Sequence, residues 1–450
     1  MAVPELRHHG AHGAGTASPH VAPEIVRART EVRCTDGSLR PSRYLDYAAT
    51  APALRAAADA ALELLPYYGS IHRGAGVESA TSTAAYESAR RAVASFAGAA
   101  PDHLVVFVRN TTEALNLLAH CLPASACVLS TPGEHHANML PWRRREVDLL
   151  PFTRSADELL TCSAVALASG RYDLFAISGA SNVTGETLPV GELADLAHRY
   201  GAEICVDAAQ LAPHVPIDMD ALGIDHLALS GHKLYAPFGV GVLIARGQRI
   251  AASEPLLHGG GAVARVLDDR VVWSDAPARF EAGTPNVFGA IALGAACDAL
   301  AAYGMPLLAA EELTLGALLR ERLAAVPGVH LLEQWHGGDV PRVALASFHV
   351  PSIEAGDVAR RLAEEHAISV RSGAFCAHPL VRHLRGVPRA SAPGGGAVRA
   401  SLGLGSGIDD IELLAGALGS LIGPRPGRAR KPRPAAARVA ATVAGLLLMR

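Results

Sequence analysis

SGHKLYAPFGVGVL occupies residues 230–243 of a 450-residue chain. An apolar run, DHLALS over 225–230, leads into it, and a second, VGVLIA over 240–245, leaves it. Pro237 and Gly239 stand between them and Gly241 lies at the start of the second, residues that close loops. Lys233 is therefore expected just past the C-terminal end of a strand, the edge at which open α/β sheets gather their ligands. Taken alone, a Gly-His-Lys tripeptide proves little and reads first as a solvated loop lysine, the ordinary state of that residue.

The preceding apolar run, AEICVD over 202–207, ends at Asp207 in VDAAQ. Asp207 could cap the next helix. It also stands at the same sheet edge, one structural unit before Lys233. A buried carboxylate beside an imine-forming lysine is the pair that pyridoxal phosphate (PLP) requires. The carboxylate keeps the pyridine nitrogen protonated, so that the ring can accept electrons. Gln210, three residues on, could reach the ring hydroxyl.

Further outward the pattern repeats. Apolar runs at 103–108 (HLVVFV), 126–131 (ACVLST) and 174–181 (LFAISGAS) alternate with helical periodicity, as over 112–120 and 190–200. Such alternation predicts an α/β fold built on a largely parallel sheet covered on both faces. After 103–108, Thr111 and Thr112 open a helix whose free N–H groups suit a phosphate; an ordinary cap with Glu113 in the first turn reads equally well. After 126–131 comes EHHANMLPW, where His135 could stack on a flat ring. Two adjacent histidines could also ligate zinc, but no third ligand is spaced to complete a site, so no metal is expected. Asn182 follows 174–181.

Beyond a long helix at 288–303, a strand at 342–350 and a helix at 354–366 predict a smaller α+β domain. The expected organisation is a flexible N-terminal arm over 1–40, a large domain over 41–290, a small domain over 291–423 and a basic, Pro-rich, disordered tail over 424–450. The first residues of the large domain are allowed to pack on the small one. In SVRSGAFCAHPL, Cys376 lies in a loop bracketed by Gly373 and Pro379, with Arg371 and His378 as nearby cations. A buried structural thiol is the plain alternative. Arg399 in AVRASL is a candidate bidentate clamp for a carboxylate.

Composition sets outer bounds. The chain is 50% hydrophobic and 18% charged with net charge −3, which suits a globular enzyme and points to neither nucleic acid nor an anionic membrane. Seven scattered cysteines without CxxC spacing argue against a disulfide framework and for a reducing, cytoplasmic setting. The N-terminus lacks the apolar core of a secretory signal. The apolar run at 439–449 is too short to span a bilayer.

In order, the segments YLDYAAT, SIHRGAGVES, VRNTTEALNL, EHHANMLPW, SNVTGE, VDAAQ, SGHKLYAPFGVGVL, FEAGTPN, VRSGAFCAHPL and VRASLG closely resemble the class V aminotransferase fold. Within it they resemble the group II (SUF-type) cysteine desulfurase and selenocysteine lyase branch. The resemblance runs from about residue 44 to 418. It implies PLP-dependent transferase fold type I, with a mainly parallel seven-stranded sheet and a smaller C-terminal domain. It implies Lys233 as the Schiff-base lysine, Asp207 on the pyridine nitrogen, His135 on the ring, and Gln210 and Asn182 at the ring oxygen. Thr111, Thr112, Ser230 and His232 would hold the phosphate, with Thr284 reaching in from the second subunit of a homodimer. Arg399 would bind the substrate carboxylate with Asn182, and His72 and Arg371 would line the substrate site. Cys376 would take sulfur from L-cysteine as a persulfide, releasing L-alanine, and pass it to an acceptor protein.

This chain departs from the family pattern at four places. Ala374-Phe375 replaces a histidine pair before the cysteine, Asn110 replaces a glycine, Gly179 replaces a histidine, and SAPGGGAVRA before Arg399 is unusually Gly-rich. The rival readings are another class V activity (C–S lyase, epimerase or aminotransferase) and a non-catalytic scaffold. Cys376 separates the first from desulfuration, because those reactions need no thiol. Lys233, Asp207 and His135 argue against the second.

Overall fold

The computed structural model describes residues 21–28, 30–336, 340–388 and 396–423. The basic tail, part of the Gly-rich stretch before Arg399 and the first half of the expected arm lie outside them.

Seven strands form the main sheet: β1 (His103–Val108), β2 (Cys127–Ser130), β3 (Glu146–Leu149), β4 (Leu174–Ser178), β5 (Glu203–Asp207), β6 (His226–Ser230) and β7 (Gly241–Arg246). Their order is β1-β7-β6-β5-β4-β2-β3. β7 runs antiparallel to both of its neighbours, and the other pairings are parallel. The strands are near-continuous Val, Ile, Leu and Ala because helices cover both faces and leave no polar side. β3, with its EVDL sequence, is the edge strand that carries no such apolar run.

Parallel pairing places the C-terminal ends of β1, β2, β4, β5 and β6 along one edge. Asp207 pairs with Ser178 and with Ala228, so the ends of β4, β5 and β6 lie side by side in register. β7 enters this edge at Gly241, opposite Val108. A Cβ on Gly241 would fall 2.5–2.8 Å from the backbone of Asn110, so β7 and the start of the helix Thr111–Cys121 meet with no room for a side chain. Asn110 has φ −173°, extended backbone that any residue adopts, and its side chain accepts from the Glu113 N–H at 3.0 Å. Asparagine therefore replaces the family's glycine without strain and serves as the helix cap.

The boundary read at residue 290 falls inside the helix Val287–Tyr303, which packs on the helices Arg55–Leu64 and Val77–Phe96 of the large domain. The chain turns by 80° at Gly304 before the helix Met305–Ala324. The second sheet then forms in the order His330–Leu331, Leu345–His349, Ala397–Ser401, Arg371–Gly373, around its own apolar core. The two bodies are also joined from the front of the chain. Arg43–Tyr44 pairs in parallel with Ile368–Ser369, and Asp46 bridges to Ser401.

Residues 21–40, assigned from sequence to the arm, carry short strands. Ile25–Val26 pairs with Ala53–Leu54, Glu31–Arg33 pairs with Leu39–Pro41, and Cys34 is buried. Runs of two or three residues are too short to show periodicity. Among the described residues, no single helix is long and apolar enough to cross a membrane.

Gly241→Ala is expected to cost about 1–3 kcal/mol through overpacking against Asn110. Urea denaturation measures this, and an undiminished midpoint would mean that β7 and the helix start do not meet as described.

Candidate active site

The strand ends surround a cleft of about 450 Å³. Its lining includes Thr111, Thr112, His135, Asn182, Asp207, Gln210, Ser230, His232, Lys233, Arg371, Cys376 and Arg399. Two residues expected at the site, His72 and Thr284, lie elsewhere. They line a second cleft of about 750 Å³, where His72 Nε2 stands 2.9 Å from Glu87.

Lys233 follows β6 in a tight loop in which the Gly231 N–H donates to the Val240 carbonyl at 2.8 Å. Burial pulls its ammonium down to about 8, while the Asp207 charge acts in the opposite direction. Asp207 is 5% exposed and accepts from the Ala209 N–H at 3.0 Å. Burial pushes its carboxyl up, opposed by that hydrogen bond and by Lys233. The chain contains two lysines, Lys233 and Lys431, and otherwise uses arginine as its cation. This scarcity was available in the sequence. Arginine can replace lysine in an ion pair but cannot form an imine.

At the other side of the cleft, the Thr111 N–H donates to Ser230 Oγ at 2.9 Å, and the two hydroxyl oxygens are 2.8 Å apart. Thr112 is exposed to the cleft from the same helix start. These donors at a helix N-terminus form an anion cradle. His232 is half-buried beside Lys233, and burial brings its imidazole down to about 4. His135 Nδ1 accepts from the Ala137 N–H at 3.1 Å, so that nitrogen carries no proton. Burial and the nearby Lys233 charge hold this ring at about 4, leaving it neutral. Gln210 is buried and donates to the Ala48 carbonyl at 2.6 Å, which anchors the YLDYAAT segment over the cleft.

Arg399 comes from the second sheet. It is 3% exposed, donates from Nη1 to the Asn182 carbonyl at 2.9 Å, and lies 3.5 Å from Asp46 through Nη2. Its Nε has no hydrogen-bond partner among the described residues. A buried guanidinium that lines the cleft and is not fully hydrogen-bonded is poised for an anion. Arg371 is exposed and 3.9 Å from the other Asp46 oxygen. Asp46, in YLDYAAT, is thus the shared counter-ion of both arginines; sequence reasoning passed over it.

Glu134 was also missed. It is fully buried behind His135 and accepts from Thr131, Asn138 and Ser178 at 2.5–2.8 Å. Burial pushes its carboxyl up to about 7 against those hydrogen bonds. Its signal was a carboxylate four residues past the end of an apolar strand, on the same sheet edge as Asp207.

Of the seven cysteines, Cys376 is the exposed one. Burial raises Cys121 to about 11 and also raises Cys205 and Cys297, so these thiols stay protonated at neutral pH. Cys376 occupies a four-residue turn closed by the Ala377 N–H donating to the Ala374 carbonyl at 2.8 Å. Both central residues have positive φ, Phe375 at 51° and Cys376 at 55°. Gly, Asn and Asp dominate such turns, because other side chains there cost on the order of 1–3 kcal/mol each. The turn is held in place by the His136 N–H, which donates to the Cys376 carbonyl at 2.8 Å, and by Asn182 Nδ2, which donates to the Phe375 carbonyl at 2.7 Å.

This donor set fits PLP. An anion cradle, a buried carboxylate and a low-titrating lysine share a cleft roofed by a neutral imidazole, with an unsatisfied guanidinium at its far side.

The Aminotransferase class-V family model matches residues 43–414. A cysteine desulfurase of Klebsiella pneumoniae is 37% identical over 407 residues, covering 88% of this chain and 97% of its own. A probable cysteine desulfurase of Synechocystis is 36% identical, covering 85% and 91%. The apo structure of a cysteine desulfurase from Thermococcus onnurineus superposes with TM-score 0.77 at 32% identity, covering 85% of this chain and 94% of its own.

With an amine-reactive probe, the cofactor-free protein should be labelled at Lys233 with a pH midpoint near 8. Asp207→Asn should lower that midpoint, since the Asp207 charge is what holds the ammonium up. An unchanged or raised midpoint would separate the two residues. Adduct formation with PLP, fixed by borohydride, should map to the same peptide. Fold, match and site together assign the chain to the class V aminotransferase family, as a PLP-dependent enzyme.

Proposed function

We propose that this enzyme is a cysteine desulfurase, converting L-cysteine to L-alanine with transfer of sulfur to Cys376. The observation that carries the reading is the exposed thiol of Cys376 opening into the same cleft as Lys233, Asp207 and Arg399. Bound PLP supplies an electron sink for bonds that break next to the amino-acid nitrogen.

The chain's own residues do the rest. Lys233 holds the cofactor and, once displaced by the amino acid, carries protons to and from carbon. Asp207 keeps the pyridine nitrogen protonated. His135 covers the ring, with Asn182 and Gln210 at its oxygen. Thr111, Thr112, Ser230 and His232 hold the phosphate. Arg399 orients the substrate carboxylate, with Arg371 nearby. The Cys376 thiolate attacks the substrate sulfur: an S–S bond forms, the Cβ–S bond breaks with its electron pair left on carbon, and a proton takes the place of sulfur. Alanine leaves, and Cys376 holds a persulfide. The exposed turn lets a thiol-bearing acceptor protein collect it. This thiol chemistry requires a reducing compartment, and we place the enzyme in the cytoplasm.

A homodimer completes the site. Thr284 and His72 lie outside the cleft of their own chain and beside an exposed apolar hairpin, Val263–Val266 with Val271–Trp273. Pairing two copies buries that hairpin and brings Thr284 to the partner's phosphate cradle. Light scattering should show a dimer, and Thr284→Ala should weaken cofactor retention within it; a fully active monomer would contradict this arrangement.

Cys376→Ala should keep cofactor absorbance and its response to L-cysteine, yet release alanine at least roughly 10²-fold more slowly. Without reductant, L-cysteine should add one sulfur atom to the Cys376 peptide of the parent enzyme. Alanine release at the parental rate, with no persulfide trapped, would hand the chemistry to the other class V reactions.

A further inference from the structure

Phe375 is one of the two residues, with Ala374, that stand in place of the histidine pair of the family, and its surroundings give it a task. Its ring lies over the guanidinium of Arg399, with Cζ 5.0 Å from the ring centroid. On its other side it packs against a small apolar cluster that includes Val183, Ala377, Leu380 and Val381. Its carbonyl accepts from Asn182 Nδ2, and the Asn182 carbonyl accepts in turn from Arg399. Side chain and main chain of one residue thus grip the same arginine, once directly and once through Asn182.

The backbone makes the placement costly. Phe375 and its neighbour Cys376 both hold positive φ. A phenylalanine in that conformation stays only where surrounding contacts fix it. The side-chain contacts that do so are the cation–π stack on Arg399 and the apolar cluster behind it, beside the hydrogen bonds from Asn182 and His136 to the carbonyls of the turn.

We infer that Phe375 is the positioning residue of the carboxylate site: its ring roofs Arg399, shields the bound carboxylate from water and fixes the turn that aims Cys376. The inference rests on the amino-acid reading of the cleft proposed above. An aromatic face offers the guanidinium attraction without competing for its N–H donors, so those donors stay available to a carboxylate. A histidine at this position could take up a proton and repel the arginine. Phenylalanine cannot, so it adds no titrating charge to those of Asp46, Arg371, Cys376, His135 and Lys233 that already act on this arginine.

The test uses PLP-loaded Phe375→Ala, Phe375→Leu and Phe375→Tyr beside the parent. L-Alanine is the probe, because it carries the α-carboxylate and no sulfur for Cys376 to attack. Its affinity is read from the change in cofactor absorbance, and the accessibility of the turn is read separately from iodoacetamide alkylation of Cys376 in cofactor-free protein. Phe375→Ala and Phe375→Leu should bind L-alanine between about 2- and 30-fold more weakly, the range of a desolvated cation–π contact. Both should alkylate faster, and Phe375→Tyr should restore parental values. The leucine variant keeps the apolar bulk, so it remains informative if the alanine variant does not fold. Parental L-alanine affinity in the leucine variant would overturn the inference, as would faster alkylation without weaker binding, which marks a merely structural turn residue. A parent enzyme whose absorbance ignores L-alanine would overturn the amino-acid reading, and this inference with it.

Discussion

Asp207 and Lys233, opposite charges at the ends of two neighbouring buried strands, set the terms for everything around them. Neither group is at ease there: burial raises the carboxyl and lowers the ammonium, and each is held partly in its charged form by the other. Two charges can be kept at such a depth only if the surrounding backbone is rigid. The parallel register of β4, β5 and β6, with Asp207 opposite both Ser178 and Ala228, supplies that rigidity. A slip of one residue would turn Asp207 to the other face of the sheet and leave it among apolar helices.

The second sheet contributes a different kind of constraint. Arg399 enters the cleft from a separate core, so its position depends on how the two bodies are joined. The join is made close to the site itself, by Arg43–Tyr44 pairing with Ile368–Ser369 and by Asp46 lying between Arg371 and Arg399. Asp46 reduces the cost of burying Arg399 without saturating it, because its contact with Nη2 is a long 3.5 Å and Nε has no hydrogen-bond partner among the described residues. A fully paired guanidinium would be more stable and less useful, since a substrate carboxylate would first have to break the pair.

What could be read from sequence and what could not divide along physical lines. Asp207 and Lys233 were legible because each is a polar residue that ends a run of buried apolar ones, a break in pattern visible without coordinates. The strands themselves were legible for the same reason, whereas β3 was not, since its EVDL sequence offers no apolar run. Asp46 was hidden because its significance comes from pairing with residues near the other end of the chain. The task of Phe375 was hidden for a local reason: Ala-Phe-Cys contains none of the residues that advertise positive φ, and only the folded turn shows the ring over Arg399. The end of the helix Val287–Tyr303 was legible, but its allegiance was not, because a largely apolar helix does not say from its sequence to which body it belongs.

The clearest chemical statement in the chain concerns its choice of cations. Structural positive charge here is carried by arginine: Arg90 meets the carboxylate of Glu281 at 2.7 Å, Arg342 meets Glu186, and Arg399 meets Asp46. Arginine suits these places because its charge persists when buried and its fork satisfies carboxylates. Lysine differs in being able to lose its proton and act as a nucleophile, and burial makes that easier. A chain that uses lysine twice in 450 residues, and places one of the two at a sheet edge where burial lowers it to about 8, is using it where deprotonation matters. The requirement at position 233 is therefore for a reactive amine rather than for a positive charge, and Asp207, the loop closed by Gly231 and Val240, and the neutral ring of His135 are the setting in which that amine works.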